Sequence, residues 1–131
     1  MTDSILVDSD LLIDLARENR AVEKYLHVLE KTFRLSISAV TKMEILVGCR
    51  NKTEQKDTFQ FLEQFSIFEI QPNISQRATE LISQYNLSHN LLIPDALIAA
   101  TAMEEKIPLA SKNQRDFKFI KGLTLLAFPV A

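Results

Sequence analysis

The feature that most constrains this fold is a set of short apolar runs without polar alternation, each separated from the next by residues at helical spacing. Ile5 to Val7 reads as a first strand, Leu35 to Ser38 as a second and Phe68 to Ile70 as a third. Leu109 to Ser111 and Leu123 to Ala127 supply the last two. Between them, apolar residues recur every three or four positions. Leu11, Leu12 and Leu15 mark one helix; Val22, Tyr25, Leu26 and Leu29 mark another whose apolar positions share one face. Further helices are expected over 40–47, through Phe59, Leu62 and Phe65, and through Ile74, Ala78, Leu81, Ile82 and Tyr85. The stretch LLIPDALIAATAM at 91–103 predicts a buried helix opened by Pro94. Strands that are apolar throughout are covered on both sides, and strands separated by helices pair in parallel. The expectation is an α/β fold, a three-layer α/β/α sandwich around a central, mainly parallel sheet, with the polar segment 51–57 as an exposed connection.

A chain of 131 residues with 47% hydrophobic content is enough for one ordinary domain, 1–131, with a full core. None of its apolar runs is long enough to span a bilayer, and the opening MTDSILVDSD carries acids where a signal peptide carries bases. No membrane association and a cytoplasmic location are therefore expected. The single cysteine, Cys49, cannot form an internal disulfide or a cysteine-based zinc site, in keeping with a reducing compartment. With only Gly48 and Gly122, the chain has no glycine-rich phosphate loop. A net charge of −2 gives the whole chain no polyanion-binding signature. Locally the balance differs, since Lys112, Arg115, Lys118 and Lys121 surround Asp116. That cluster either holds phosphates beside an acidic centre or forms a solvated surface.

Four acids, Asp8, Glu44, Asp95 and Asp116, interrupt or abut apolar segments instead of lying on polar faces. Asp95 is the only charged residue between positions 91 and 103, and burying an ionised carboxylate is costly unless something compensates it. In parallel sheets, ligands bind beyond the carboxyl ends of the strands. Asp8 directly follows the first strand, Glu44 comes shortly after the second, and Asp116 lies five residues beyond Ser111. The helix opened near Asp95 can point into the same crevice. Glu44 falls between Val40, Met43 and Val47 on its helix and is expected to face inward. Each acid also has an ordinary reading. Asp8 can cap a helix, as can Ser9 or Asp10, Asp95 can favour a helix N-terminus, and Glu44 can form a half-buried ion pair. Together, however, four carboxylates at one crevice raise one another's pKa unless a cation compensates them. Oxygen donors of this kind suit magnesium or manganese.

Taken in order, these segments resemble the PIN domain nucleases, and within them the toxins of VapBC-type toxin–antitoxin pairs. VDSDLLIDL (7–15) is similar to the family's opening strand and turn, with Asp8 as first acid and Ser9 as the adjacent hydroxyl. SISAVTKMEILVG (36–48) resembles the second block through Glu44, and PDALIAATA (94–102) the third through Asp95. LASKNQRDF (109–117) resembles the fourth, where the last acid position corresponds to Asn113 or Asp116. The blocks span nearly the whole chain, and their order and spacing are specific although each alone is weak. Two positions depart from the pattern. Asp10 stands where the family commonly has Asn, which adds negative charge near the site, and Ser111 stands where Thr is common.

The resemblance implies a magnesium- or manganese-dependent endoribonuclease, a hydrolase of phosphodiester bonds. Asp8, Glu44 and Asp95 would form the metal centre and Asp116 would close it. Ser9, Ser111 or Asn113 would position water or phosphate, and Lys112, Arg115 and Lys118 would contact RNA. It also implies a structured substrate such as tRNA or rRNA, a homodimer, and a cognate VapB-like antitoxin whose C-terminal segment enters the active-site groove. His27 and His89 have no place in that chemistry. Two other readings are a PIN-like module that binds RNA or protein without cutting, against which the intact acid set argues, and a receiver-like signalling domain. The latter needs an aspartate ending its central strand, whereas the mid-chain acid here is Glu44 on a predicted helix.

Overall fold

Strand β1 (Asp3–Val7) lies at the centre of a five-stranded sheet in the computed structural model, which describes residues 3–129. On one side of it run β2 (Phe33–Ser38) and then β3 (Ser66–Phe68), on the other β4 (Leu109–Ala110) and then β5 (Leu125–Leu126). Every neighbouring pair is parallel, with Ile5 opposite Leu35 and Val7 opposite Ala110. Six helices connect the strands, namely α1 (Ser9–Ala16), α2 (Arg20–Glu30), α3 (Ala39–Val47), α4 (Lys52–Leu62), α5 (Pro72–His89) and α6 (Ile93–Glu105).

Alternation along β1 divides the core into two layers. Ile5 and Val7 pack with Leu11, Leu12, Val22, Leu26 and Leu62 from α1, α2 and α4. Leu6 faces the other way, into a cluster with Ile74 and Leu81 of α5, Ile98 and Ala99 of α6, and Phe117. Both faces of the sheet are therefore covered, which is why Ile5 to Val7 is apolar throughout and why even the serines of β2, Ser36 and Ser38, are buried. Ala96, Ala99, Ala100 and Ala102 are buried on α6, and side chains this small bring α6 close against α5.

This architecture is the α/β/α sandwich expected from the sequence, with four local differences. The segment 51–57 is not a loop. Asn51 caps α4, its Oδ1 accepting the Glu54 N–H at 2.9 Å while Glu54 Oε1 accepts the Arg50 N–H at 2.9 Å, so a near capping box starts a helix in very polar sequence. Strand β3 occupies 66–68, two residues earlier than predicted, and Pro72 opens α5 instead of closing a strand. The last two strands are shorter than their apolar runs, because pairing with β1 and β4 lasts only two residues each.

Chain order fixes where a ligand crevice falls. From β1 the chain moves outward through β2 to β3, then returns by α5 and α6 to place β4 on the other side of β1. Such a switch point opens a crevice beyond the carboxyl ends of the two strands. There the Asp8 N–H donates to the Ala110 carbonyl at 2.9 Å, setting Asp8 beside Ser111.

Candidate functional site

Asp8 leaves β1 in extended conformation as the N-cap of α1 and is 5% exposed. Its Oδ1 accepts the Ser9 N–H at 2.8 Å and its Oδ2 accepts the fully buried Ser111 hydroxyl at 2.8 Å. Both oxygens are thus satisfied, yet two hydrogen bonds do not replace full hydration of an anion. Burial, followed by the charge of Asp10, pushes the Asp8 carboxyl up to about 7.

Asp10 lies in the first turn of α1 and ties that helix to the segment after β4. Its Oδ2 accepts the backbone N–H groups of Lys112 at 3.1 Å and Asn113 at 3.0 Å. Its Oδ1 is buried and has no hydrogen-bond partner among the described residues. Burial raises the Asp10 carboxyl above the ordinary range despite those N–H donors. One turn further on, Asp14 pairs with Lys112 Nζ. The Lys112 side chain is thereby engaged within the protein, while Arg115 and Lys118 are exposed and form no ion pair among the described residues.

Glu44 differs from its expected placement. Met43 and Val47, which were to share a buried face with it, are 52% and 84% exposed, and Glu44 is itself exposed. Its helix buries Val40 and Thr41 instead, because α3 begins at the carboxyl end of β2, and further along only the face carrying Ile45 packs against the core. Glu44 nevertheless reaches the crevice, where its Oε1 accepts the Ser9 hydroxyl at 2.7 Å. Ser9 Oγ also lies 3.0 Å from Thr41 Oγ1. One hydroxyl has one proton to give, so Ser9 is held between a donor and the carboxylate.

Asp95 sits half-buried in the first turn of α6, where the helix dipole favours an anion. Burial, then the charges of Asp116, Glu44 and Asp10, push its carboxyl up to about 6. Asp116 itself is exposed, at the end of a 3-10 turn over Gln114–Asp116. Asn113 precedes that turn and contributes its backbone N–H to Asp10. The four acids singled out from sequence thus share one electrostatic neighbourhood, with Asp10 as a fifth. Thr41 and the anchoring role of Asp10 were missed. The spacing of Asp8 and Asp10 on either side of a serine was the available signal for Asp10, whereas nothing local marks Thr41.

No three acidic, histidine or cysteine side chains among the described residues stand close enough to hold a metal ion between them. Three of the carboxylates are engaged by donors of this chain, Asp8 by Ser9 and Ser111, Glu44 by Ser9, and Asp10 by the backbone. The donor set nonetheless fits a hard divalent cation. It is all oxygen, burial and then the neighbouring acids raise the proton affinity of Asp95, and Asp10 keeps one buried oxygen unpaired. A groove of about 800 Å³, lined by Ile13, Arg17, Cys49, Arg50 and Phe61, opens beside Glu44. A second groove of about 840 Å³ includes the start of β2, at the opposite end of the sheet, and contains none of these acids.

The PIN domain family matches residues 5–123. Ribonuclease VapC10 of Mycobacterium tuberculosis is 34% identical over 120 residues, covering 91% of this chain and 90% of that protein. Ribonuclease VapC1 of Methanocaldococcus jannaschii is 30% identical over 123 residues, covering 92% and 84% respectively. Among solved structures, a chain of a toxin–antitoxin complex from Klebsiella pneumoniae superposes with a TM-score of 0.79 at 30% identity, over 98% of this chain and 100% of the other.

Proposed function

The chain belongs to the PIN domain family, among its VapC-like members, and from that premise we propose that it is a divalent-metal-dependent endoribonuclease acting as the toxin of a toxin–antitoxin pair. The observation that carries the proposal is that Ser9 and Ser111 link Asp8, Asp10 and Glu44 by hydrogen bonds at the β1/β4 switch point, with Asp95 near enough for its charge to act on Asp8. VapC relatives carry the name ribonuclease, and the Klebsiella chain comes from a toxin–antitoxin complex. Both support the same activity and class of partner here.

Asp8, Glu44 and Asp95, with Asp116 at the rim, are the proposed ligands of magnesium or manganese. The chemistry a bound ion supplies is Lewis acidity toward water and a phosphate oxygen. This chain's residues prepare for it. Ser111 fixes one oxygen of Asp8, and Ser9, backed by Thr41, fixes one of Glu44. Carboxylates locked in this way present their remaining lone pairs in defined directions. Asp10 holds the segment 111–113 against α1, which keeps Ser111 beside Asp8 and Asn113 beside Asp10. Arg115 and Lys118, exposed on either side of Asp116 in the chain, are proposed to meet the phosphates flanking the scissile bond. Structured RNA such as tRNA or rRNA is the proposed substrate class, a VapB-like protein the proposed inhibitor, and a homodimer the proposed assembly.

Induced expression in a host without the partner protein tests the toxin reading. Growth should arrest with fragmented RNA, and Asp95→Asn should abolish both. Arrest that persists undiminished in a stably folded Asp95→Asn protein contradicts the assigned site.

A further inference from the structure

Two aromatic side chains, one at the end of α5 and one three residues after Asp116, are laminated on the surface. The His89 and Phe119 rings stack with centroids 4.2 Å apart and planes 13° from parallel. Tyr85 buttresses them from within, edge-on to Phe119 at 5.1 Å and to His89 at 5.9 Å, and its hydroxyl accepts the Lys121 N–H at 3.2 Å. Ser88 Oγ lies 2.7 Å from His89 Nδ1 and steadies the outer ring. Phe119 and Tyr85 are part of the core, but His89 is exposed, so its second face is open to solvent.

The position of this stack matters. His89 ends α5 six residues before Asp95, and Phe119 follows Asp116 by three residues, a span of at most about 10 Å. Lys118 and Lys121, both exposed, flank Phe119. A supported aromatic face with cations on either side, next to a cluster of carboxylates, has the composition of a single-strand nucleic-acid subsite. Unpaired bases stack on such rings while cations track the backbone. A paired base, already stacked inside its helix, cannot use it.

Resting on the ribonuclease reading above, we propose that the His89–Phe119 stack is the platform for an unpaired nucleobase next to the scissile phosphate, with Lys118 and Lys121 holding the adjoining backbone. The platform makes the enzyme select a looped-out or single-stranded nucleotide at that position. It also gives a structural role to His89, which has no part in the metal chemistry. Leu92 and Ile93, 55% and 68% exposed three and four residues after His89, supply the competing explanation that this region is an interface between copies of the chain.

The test uses the full chain in an Asp8→Asn background, which keeps the RNA intact, with magnesium present. The probe is a single-stranded RNA octamer carrying 2-aminopurine, whose fluorescence is quenched when its base stacks. His89→Ala should lower affinity about five- to tenfold and abolish the quench. His89→Phe, which keeps a flat ring, should restore both, and a duplex of the same sequence should bind all three proteins equally. Unchanged affinity and quench in His89→Ala overturn the platform and leave the nuclease reading intact. Loss of binding accompanied by a change in oligomeric state, read by light scattering, also overturns it in favour of an interface. Failure of the Asp8→Asn chain to bind the octamer at all also overturns the platform, whereas the nuclease reading stands or falls separately on cleavage of total RNA by the wild-type chain.

Discussion

Replacing Asp8 with Asn should stabilise the metal-free protein at alkaline pH while destroying its proposed activity. The reasoning starts from the buried carboxyl, raised from 3.8 to about 7 mainly by burial. A raised folded-state pKa means that the native protein holds a proton which the unfolded chain releases. That contribution to stability is complete below 3.8 and is lost as pH rises to about 7. At about 1.4 kcal/mol for each tenfold change in proton affinity, the loss between pH 5 and pH 8 is about 2–3 kcal/mol. Asn has nearly the shape of Asp and does not titrate. Its Oδ1 can accept the Ser9 N–H, and the Ser111 hydroxyl can turn from donor to acceptor toward Nδ2. The stability difference between variant and wild type should therefore grow in the variant's favour by that amount across the interval. For 131 residues, an unfolding entropy of about 2.1 cal/mol/K per residue converts 1 kcal/mol into about 4 °C. Calorimetry of both proteins in EDTA should show Asp8→Asn gaining about 10 °C relative to wild type between pH 5 and pH 8. A difference in melting temperature that is flat with pH would refute the assignment of a strained, desolvated carboxylate at Asp8.

Magnesium or manganese should raise the wild-type melting temperature at pH 8, equivalent to about 2.7 kcal/mol at a hundredfold excess over Kd, and Asp95→Asn should shrink that increase. An equal increase in both proteins would place the cation elsewhere. Ser111→Ala leaves a buried Asp8 oxygen without its donor and should cost about 1–3 kcal/mol in urea unfolding, whereas Ser111→Thr should recover most of it. Because Lys112 is paired with Asp14, Lys112→Gln should leave the salt dependence of RNA binding nearly unchanged. Arg115→Gln and Lys118→Gln should each flatten the log–log salt slope by about 1, as read by fluorescence anisotropy.

The sheet and most helices were legible because their signals are local. Ile5 to Val7 is apolar throughout since both its faces are covered, and Val22, Tyr25 and Leu26 repeat at helical spacing because one face of α2 is buried. Where reading went astray, a non-local or weak signal decided. Helix α4 begins in NKTE, where capping outweighs the absence of apolar residues. Glu44 reaches the site through Ser9, not by sharing a buried stripe, because Met43 and Val47, apolar in sequence, are left exposed by the fold. Asp8 and Asp95 stood out because a charge inside an apolar run needs an explanation. Asp10 was visible as a departure from a family pattern, but its grip on residues 112 and 113 depends on β4 lying beside β1. Likewise Lys112 read as a free cation in sequence, and only the packing of the β4 loop against α1 gives it Asp14.

The central claim is that these carboxylates make one metal-dependent RNA-cutting site, and the most direct test is incubation of total cellular RNA with the purified chain, with and without manganese. Asp8→Asn and Asp95→Asn proteins, each shown to be folded by calorimetry, serve as paired controls. The account predicts discrete fragments only with metal and wild-type protein, their ends marking the cleaved RNA. Cleavage that continues in EDTA, or in either variant at the wild-type rate, would contradict it.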